Sequence, residues 1–178
     1  MNYDAMSNFH CPRWNELPDI ELYMDQVVNI MDRHLNCFAQ EGSKIITSTM
    51  INNYVKQKIV KPPKNKKYDR VHLAYLIPVC ILKQVIGIPE LCDGIALILQ
   101  HREIPEAYDI FCELLEQALN NVFSNKPPLP CSKEDTFELR ILKSVISCFV
   151  TLQYARYLIN KNKPAVITDI TGENEELN

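Results

Sequence analysis

Residues 44–86 have the sequence KIITSTMINNYVKQKIVKPPKNKKYDRVHLAYLIPVCILKQVI. Thr47 is a capping residue, and the apolar residues after it recur at helical spacing, which predicts a first helix over about 47–58. Two consecutive prolines then prevent the helix from continuing, because proline has no backbone N–H. Asp69 is a good N-cap for a second helix that runs to about residue 85. This stretch therefore predicts a helix, a short basic turn or small β-wing, and a second helix.

The same segment carries a concentrated positive charge. Residues 44–70 contain eight Lys or Arg and one acid, which gives +7 and leaves −10 for the rest of a chain whose net charge is −3. An asymmetry of this size indicates a localised anionic partner. The basic residues are Lys44, Lys56, Lys58, Lys61, Lys64, Lys66, Lys67 and Arg70.

Outside this segment the apolar residues also recur mainly at helical spacing. Further helices are predicted over 20–38 with Asp19 as N-cap, within 86–99, over 105–123 and over 134–160. The last of these has apolar residues on more than one face, which is typical of a central helix or of an oligomer interface. Strand patterns are limited to the wing and to residues 165–170. The sequence therefore predicts an all-α fold.

Composition divides the chain into four segments. We expect an N-terminal arm over 1–18 and a helix–wing–helix module over 19–86. A helical region for dimerisation or effector binding follows over 87–161, and a flexible acidic tail over 162–178. A homodimer would form through the C-terminal helices.

Several classes of protein are disfavoured by composition. The chain has 178 residues, of which 47% are hydrophobic and 23% charged, enough for an ordinary core. It contains four glycines, and neither a phosphate-binding loop nor the dinucleotide-binding spacing is present. The N-terminus lacks a signal-peptide pattern, and the longest apolar run, Leu73–Leu82, is about half a membrane span. We expect a cytoplasmic protein that does not enter a membrane.

Seven cysteines are spread along the chain. Their number is odd, no two form a C-x-x-C pair, and most lie in apolar runs. The pattern disfavours a zinc site or a disulfide framework and favours buried, reduced thiols, so no metal or cofactor is predicted. A redox-active thiol is the alternative, with Cys80, Cys92, Cys112 and Cys148 as its candidates.

No catalytic pattern stands out, and we predict no enzyme. The four histidines form no H-E-x-x-H motif. We interpret Asp69 and His72 as a helix cap and a packed side chain rather than a catalytic pair. Acids at helical spacing are interpreted as a solvated helix face: Glu103, Glu106, Asp109, Glu113 and Glu116.

The first predicted helix and the wing offer side chains suited to DNA. Asparagine can pair with adenine through two hydrogen bonds, hydroxyls bind bases or phosphates, and lysines bind phosphates. A solvated, lysine-rich turn is the alternative interpretation. The candidate DNA-binding residues are Thr47, Ser48, Thr49, Asn52, Asn53, Lys56, Lys61, Lys64, Lys66, Lys67 and Arg70.

Residues 46–91 resemble the winged-helix module of MerR-type regulators. The resemblance rests on Thr47 at the helix cap, Tyr54 in the helix, Ile59–Val60 as the apolar pair and Tyr68 at the end of the wing. A ladder of Leu73, Leu76 and Leu82 and the pair Gly87–Ile88 follow. Two positions depart from the family pattern: Asn52 replaces an arginine of the recognition helix, and Lys58 replaces a glycine. The resemblance implies a helix-turn-helix that binds DNA.

A second resemblance covers nearly the whole chain. The segments LYMDQV (22–27), TSTMINNYVK (47–56), KKYDRVHLAYLIPV (66–79) and LKQV (82–85) are similar to a small uncharacterised family of Gram-positive bacteria, known only as a domain of unknown function. The resemblance implies a bacterial, cytoplasmic transcriptional regulator, and it supplies no catalytic residue and no effector ligand.

Three hypotheses follow for function. The first is a dimeric DNA-binding transcriptional regulator. The second is a protein-interaction module whose lysines meet an acidic protein surface. The third is a small-molecule-binding helical bundle with His72 or the acidic stripe in a pocket.

Overall fold

The computed structural model describes Met6, residues 8–39 and residues 42–162. Within these ranges no strand forms, and the predicted all-α class is confirmed. The elements are a 3-10 turn at Trp14–Glu16, α1 (Met24–Leu35), a 3-10 turn at Asn36–Phe38, α2 (Ser48–Lys56), α3 (Arg70–Leu82), α4 (Ile88–Leu99), α5 (Ile104–Phe123) and α6 (Phe137–Lys161). The possible strand at 165–170 and nearly all of the acidic tail lie outside the described residues.

The start of α1 differs from the sequence prediction. Tyr23 rather than Asp19 is the N-cap, and its backbone N–H donates to Oε1 of Gln26 at 2.8 Å. The residue before it, Leu22, is held in an extended conformation by Tyr68, since each backbone N–H donates to the other's carbonyl at 2.8 Å. This pairing with a distant segment delays the helix by one turn.

α3 is buried on almost every side. Nine of its 13 residues are buried, and α1, α5 and α6 pack around it. Pro78 lies inside the helix without ending it. A helix that is apolar all round is stable only as an internal element, because every face then leaves water.

α6 is the second central helix. It packs against α3, α4 and α5, as its multiple apolar faces predict. The Phe149 ring lies edge-on to Phe38, with centroids 5.2 Å apart. One continuous core therefore joins the segments 19–86 and 87–161. The two ends of α6 leave apolar side chains in solvent: Phe137, Leu158 and Ile159.

None of the helices in the described part of the chain combines the length and apolar character needed to cross a bilayer. The seven cysteines are free thiols. Cys11, Cys80 and Cys112 are buried, whereas Cys131 and Cys148 are exposed, so the expectation of buried thiols holds for only some of them.

The N-terminal arm is bound along α5. The two guanidinium nitrogens of Arg13 donate to the two carboxylate oxygens of Glu116 at 2.8 and 2.7 Å. Glu116 also accepts the backbone N–H of Cys11 at 2.8 Å, and Asp109 accepts that of Trp14 at 2.7 Å. The interpretation of the α5 acids as a solvated face is therefore wrong for these two residues. Their partners lie about a hundred residues earlier in the chain, where helical spacing gives no sign of them.

The Glu116 carboxylate is stabilised in its charged form. Burial by itself would raise the pKa of Glu116, but the hydrogen bonds from Arg13 and from the backbone of Cys11 outweigh it. The net result is a pKa below the ordinary value of 4.5. A carboxyl whose pKa is lower in the folded than in the unfolded state stabilises the fold above its unfolded pKa, and this contribution disappears as the pH falls through its folded pKa.

Replacing this carboxylate should weaken the arm. Glu116→Gln should lower the free energy of unfolding by about 2 kcal/mol at neutral pH, because hydrogen bonds to a charged group are lost. The difference from wild type should shrink as the pH falls below about 4.5. Urea unfolding across this pH range measures it, with Glu113→Gln on the exposed face of α5 as the control. A pH-independent difference, or an equal loss in the control, would contradict this account.

Candidate nucleic-acid interface

α2 separates an apolar face from a polar one. Its N-cap is Thr47, as predicted, and the Oγ1 atom accepts the backbone N–H of Met50 at 3.2 Å. Ile51 and Tyr54 are buried against the core. The opposite face is exposed and carries Ser48, Thr49, Asn52, Asn53 and Lys56. These five residues are all predicted DNA-binding candidates, and all five are exposed to solvent. The sixth candidate of this segment, Thr47, is the N-cap of the helix.

The end of α2 places a lysine in the left-handed region. Lys58 has φ 60°, its N–H donates to the carbonyl of Val55, and the next N–H, of Ile59, donates to the carbonyl of Tyr54, both at 3.0 Å. These two bonds form a Schellman motif, whose left-handed position is usually glycine. Lysine therefore adopts here a backbone conformation that its side chain disfavours.

The basic segment after α2 folds into a tight turn. The N–H of Lys67 donates to the carbonyl of Lys64 at 2.9 Å, and Asn65 and Lys66 have φ of 51° and 62°. Positive φ at both central residues is the pattern of a type I′ hairpin turn. In the described part of the chain the predicted β-wing is thus represented by a turn with two isolated bridges, Lys64–Lys67 and Leu22–Tyr68, rather than by strands.

The tip of this turn lies beside the start of α2. Lys66 shares an open groove with Lys44, Thr47 and Ser48, and the N-terminal end of α1 forms the other wall, which includes Asp25. Residues 22 positions apart in the chain thereby meet on one surface. The groove brings together the part of the predicted site that belongs to the wing and the part that belongs to the helix.

Lys67 and Arg70 are held differently from the other basic residues. The Nζ atom of Lys67 lies 3.2 Å from Oε2 of Glu21, and Nη2 of Arg70 lies 3.4 Å from Oδ1 of Asp19. The Arg70 guanidinium also lies over the Trp14 ring, 5.5 Å from its centroid. Both predicted phosphate contacts are therefore already paired with acids that lie just before α1. The sequence signal for this pairing is the set of acids just before α1, which matches the sign of the basic segment.

Six lysines of the segment remain exposed. Among the described residues none of them forms an ion pair. They are Lys44, Lys56, Lys58, Lys61, Lys64 and Lys66. Charges of one sign that lack partners repel one another, so a surface of this kind favours an anionic ligand.

Asp69 and His72 have structural roles, as the sequence predicts. Oδ1 of Asp69 accepts the backbone N–H of His72 at 3.1 Å and so caps α3. The His72 side chain is buried, with Nδ1 2.6 Å from the same oxygen, and its ring lies edge-on to Tyr68. The cap fixes the direction in which the basic turn enters α3.

A family model described as "Domain of unknown function (DUF1836)" matches residues 12–111. The chain belongs to the DUF1836 family. This agrees with the similarity to an uncharacterised family noted from the sequence. No curated protein and no solved structure shows a significant match. The DUF1836 segment contains every candidate DNA-binding residue and ends within α5. It also contains Arg13 of the arm and the two acids just before α1, Asp19 and Glu21.

The left-handed lysine after α2 gives a test of the local backbone in this DUF1836 chain. Lys58→Gly should raise the free energy of unfolding by about 1 kcal/mol, because glycine adopts positive φ without steric cost. Chemical denaturation measures the change. Lys56→Gly removes the same charge from the last turn of α2 and should instead destabilise by about 1 kcal/mol. The Schellman geometry would be refuted if both variants lost stability.

Proposed function

We propose that this chain is a DNA-binding transcriptional regulator that contacts DNA through α2 and the basic turn. The observation that carries the proposal is the set of six lysines in and beside α2 and the basic turn, which are exposed and form no ion pair within the described part of the chain. They lie in a segment of charge +7 within a chain that is otherwise −10. Duplex DNA is the polyanion with the most regular, dense array of charges, and lysines that neutralise its phosphates release bound counterions.

In this proposal α2 enters the major groove and the turn lies along the neighbouring phosphates. Asn52 and Asn53 are exposed on the helix and would pair with base edges, most favourably with adenine. The groove that joins Lys66 to Thr47 and Ser48 supports a common docking surface for turn and helix. In this proposal the segment acts as a MerR-like winged helix-turn-helix in which the tight turn takes the place of the wing.

The backbone conformation of two lysines supports a role for their charge. Lys58 and Lys66 both have φ near 60°, where any residue other than glycine or asparagine is strained. Glycine would be more stable at both positions. Strain that persists at exposed positions is often concentrated at functional sites. Retention of lysine at these positions is therefore consistent with a demand for positive charge there.

A homodimer through the C-terminal helices completes the proposal. Phe137 and Ile159 are each 64% exposed and Leu158 is 41% exposed, which leaves large apolar side chains at both ends of α6. Burial of such groups against a second copy would remove them from water. A two-fold dimer would bind a pseudo-palindromic site with half-sites about one helical turn apart.

Binding of the full chain to duplex DNA tests the proposal. The probe is the DNA upstream of the chain's own coding sequence, compared with random-sequence DNA of equal length at several salt concentrations. With about four to six phosphate contacts per protomer, and therefore about eight to twelve in the homodimer, the logarithm of the dimer's association constant should fall with the logarithm of salt concentration with a slope of roughly −7 to −11. Affinity that does not change with salt, or that shows no preference for the upstream sequence, counts against a regulator.

Charge-removing variants test the surface itself. Lys64→Gln combined with Lys66→Gln should make the salt slope shallower by about two per protomer, and so by about four in the homodimer, because each lysine accounts for about one unit. Lys126→Gln combined with Lys133→Gln removes two exposed lysines from the loop before α6 and should leave the slope unchanged. Equal effects of the two pairs would assign binding to net charge alone and would exclude the α2 surface as the specific interface.

A further inference from the structure

A cavity of about 90 Å³ lies between α3, α4, α5 and α6, away from the basic surface. Its walls are formed by alkyl and aromatic side chains such as Leu82, Ile95, Phe111 and Val145. Glu90 is the one ionisable carboxylate among the residues that line it. The cavity is thus an apolar chamber with a single negative group.

The wall formed by α4 keeps this space open by means of a glycine. Gly94 lies in the middle of α4 and lines the cavity. A methyl group placed on it would meet nothing within 4 Å beyond its own helix backbone. Alanine at this position would favour the helix and would fill part of the cavity, so neither helix propensity nor close packing accounts for glycine here.

The facing wall, formed by α3, also carries a residue that disfavours a helix. Pro78 and Ala74, one turn apart, both line the cavity. Because proline has no N–H, the carbonyl of Ala74 lacks its usual helical donor. Two helix-disfavouring residues, Gly94 and Pro78, therefore border the same space.

The charge of the lining selects among ligands. The Glu90 side chain is held by the backbone N–H of Gly87, which donates to Oε2 at 3.1 Å. Glu90 is exposed and therefore stands at the solvent side of the cavity. Its carboxylate accepts hydrogen bonds and repels an anion.

We propose that this cavity is a binding site for a small molecule with a branched alkyl body and a neutral or cationic hydrogen-bond donor at one end. An apolar cavity of about 150 Å³ is known to bind benzene, so a chamber of this size suits a smaller branched group with its polar end near Glu90. The inference goes beyond the proposed DNA contact, and its test uses no DNA.

Three probes with the same alkyl body test the site. They are 3-methylbutylamine, 3-methylbutanol and 3-methylbutanoate, each titrated into the full chain while the isoleucine methyl resonances are followed by NMR. The amine and the alcohol should shift the methyl signals of Ile95 and Ile98, which line the cavity, and the carboxylate should bind roughly tenfold more weakly or less. Absence of saturable shifts with all three, or equal binding of all three, would overturn the proposal.

Variants of α4 locate the binding. Gly94→Leu fills the chamber and should weaken binding of the amine by roughly tenfold or more. Ala96→Leu adds the same bulk to an exposed position of the same helix and should bind as wild type does. Glu90→Gln keeps the acceptor for Gly87 while removing the charge, and it should bring the affinity for 3-methylbutanoate close to that for the alcohol. If Gly94→Leu fails to fold, this last variant decides alone, since unchanged discrimination in Glu90→Gln would overturn the assignment.

Discussion

Burial of α3 on nearly all sides is the constraint on which the rest of the structure depends. A helix of this composition has no face for water, so α1, α5 and α6 have to surround it. Its N-cap, Asp69, directly follows the basic turn, and Tyr68 is tied to Leu22 by two backbone hydrogen bonds. The turn therefore projects from a fixed base, although only its ends are buried. A charged loop on such a support keeps its shape while its lysines remain in solvent.

The basic segment serves two physical purposes with different residues. Lys67 and Arg70 pair with the acids just before α1 and hold the turn against that segment. Exposed ion pairs contribute little stability individually, but here they accompany the buried pairing of Leu22 with Tyr68. The exposed lysines have no such partners among the residues that the structure describes, and they make the surface positive. Paired charges thus position the turn, and unpaired charges define what it can attract.

The features predicted well from the sequence are those set by neighbouring residues. Caps at Thr47 and Asp69, the break at the two prolines and the central position of α6 all follow from local chemistry. The predicted start of α1 was wrong because the extended conformation of the residue before its cap is imposed by Tyr68, which lies far along the chain. The acids of α5 were misjudged for the same reason, since the partners of Asp109 and Glu116 lie in the arm. The positive φ of Lys58 could not be predicted from composition, because it is imposed by a helix cap that normally uses glycine.

The contact between the arm and α5 also has a consequence for how the chain acquires its structure during synthesis. Arg13 and Glu116 are separated by 103 positions. A ribosome adding about 5–20 residues per second needs roughly 5 to 20 seconds to make that interval. Through this time the arm exists without the carboxylate it binds, and contacts of such high sequence separation form slowly because a long loop must close first. Arg13 and its neighbours, although translated before α5, are thus among the last residues to reach their native environment.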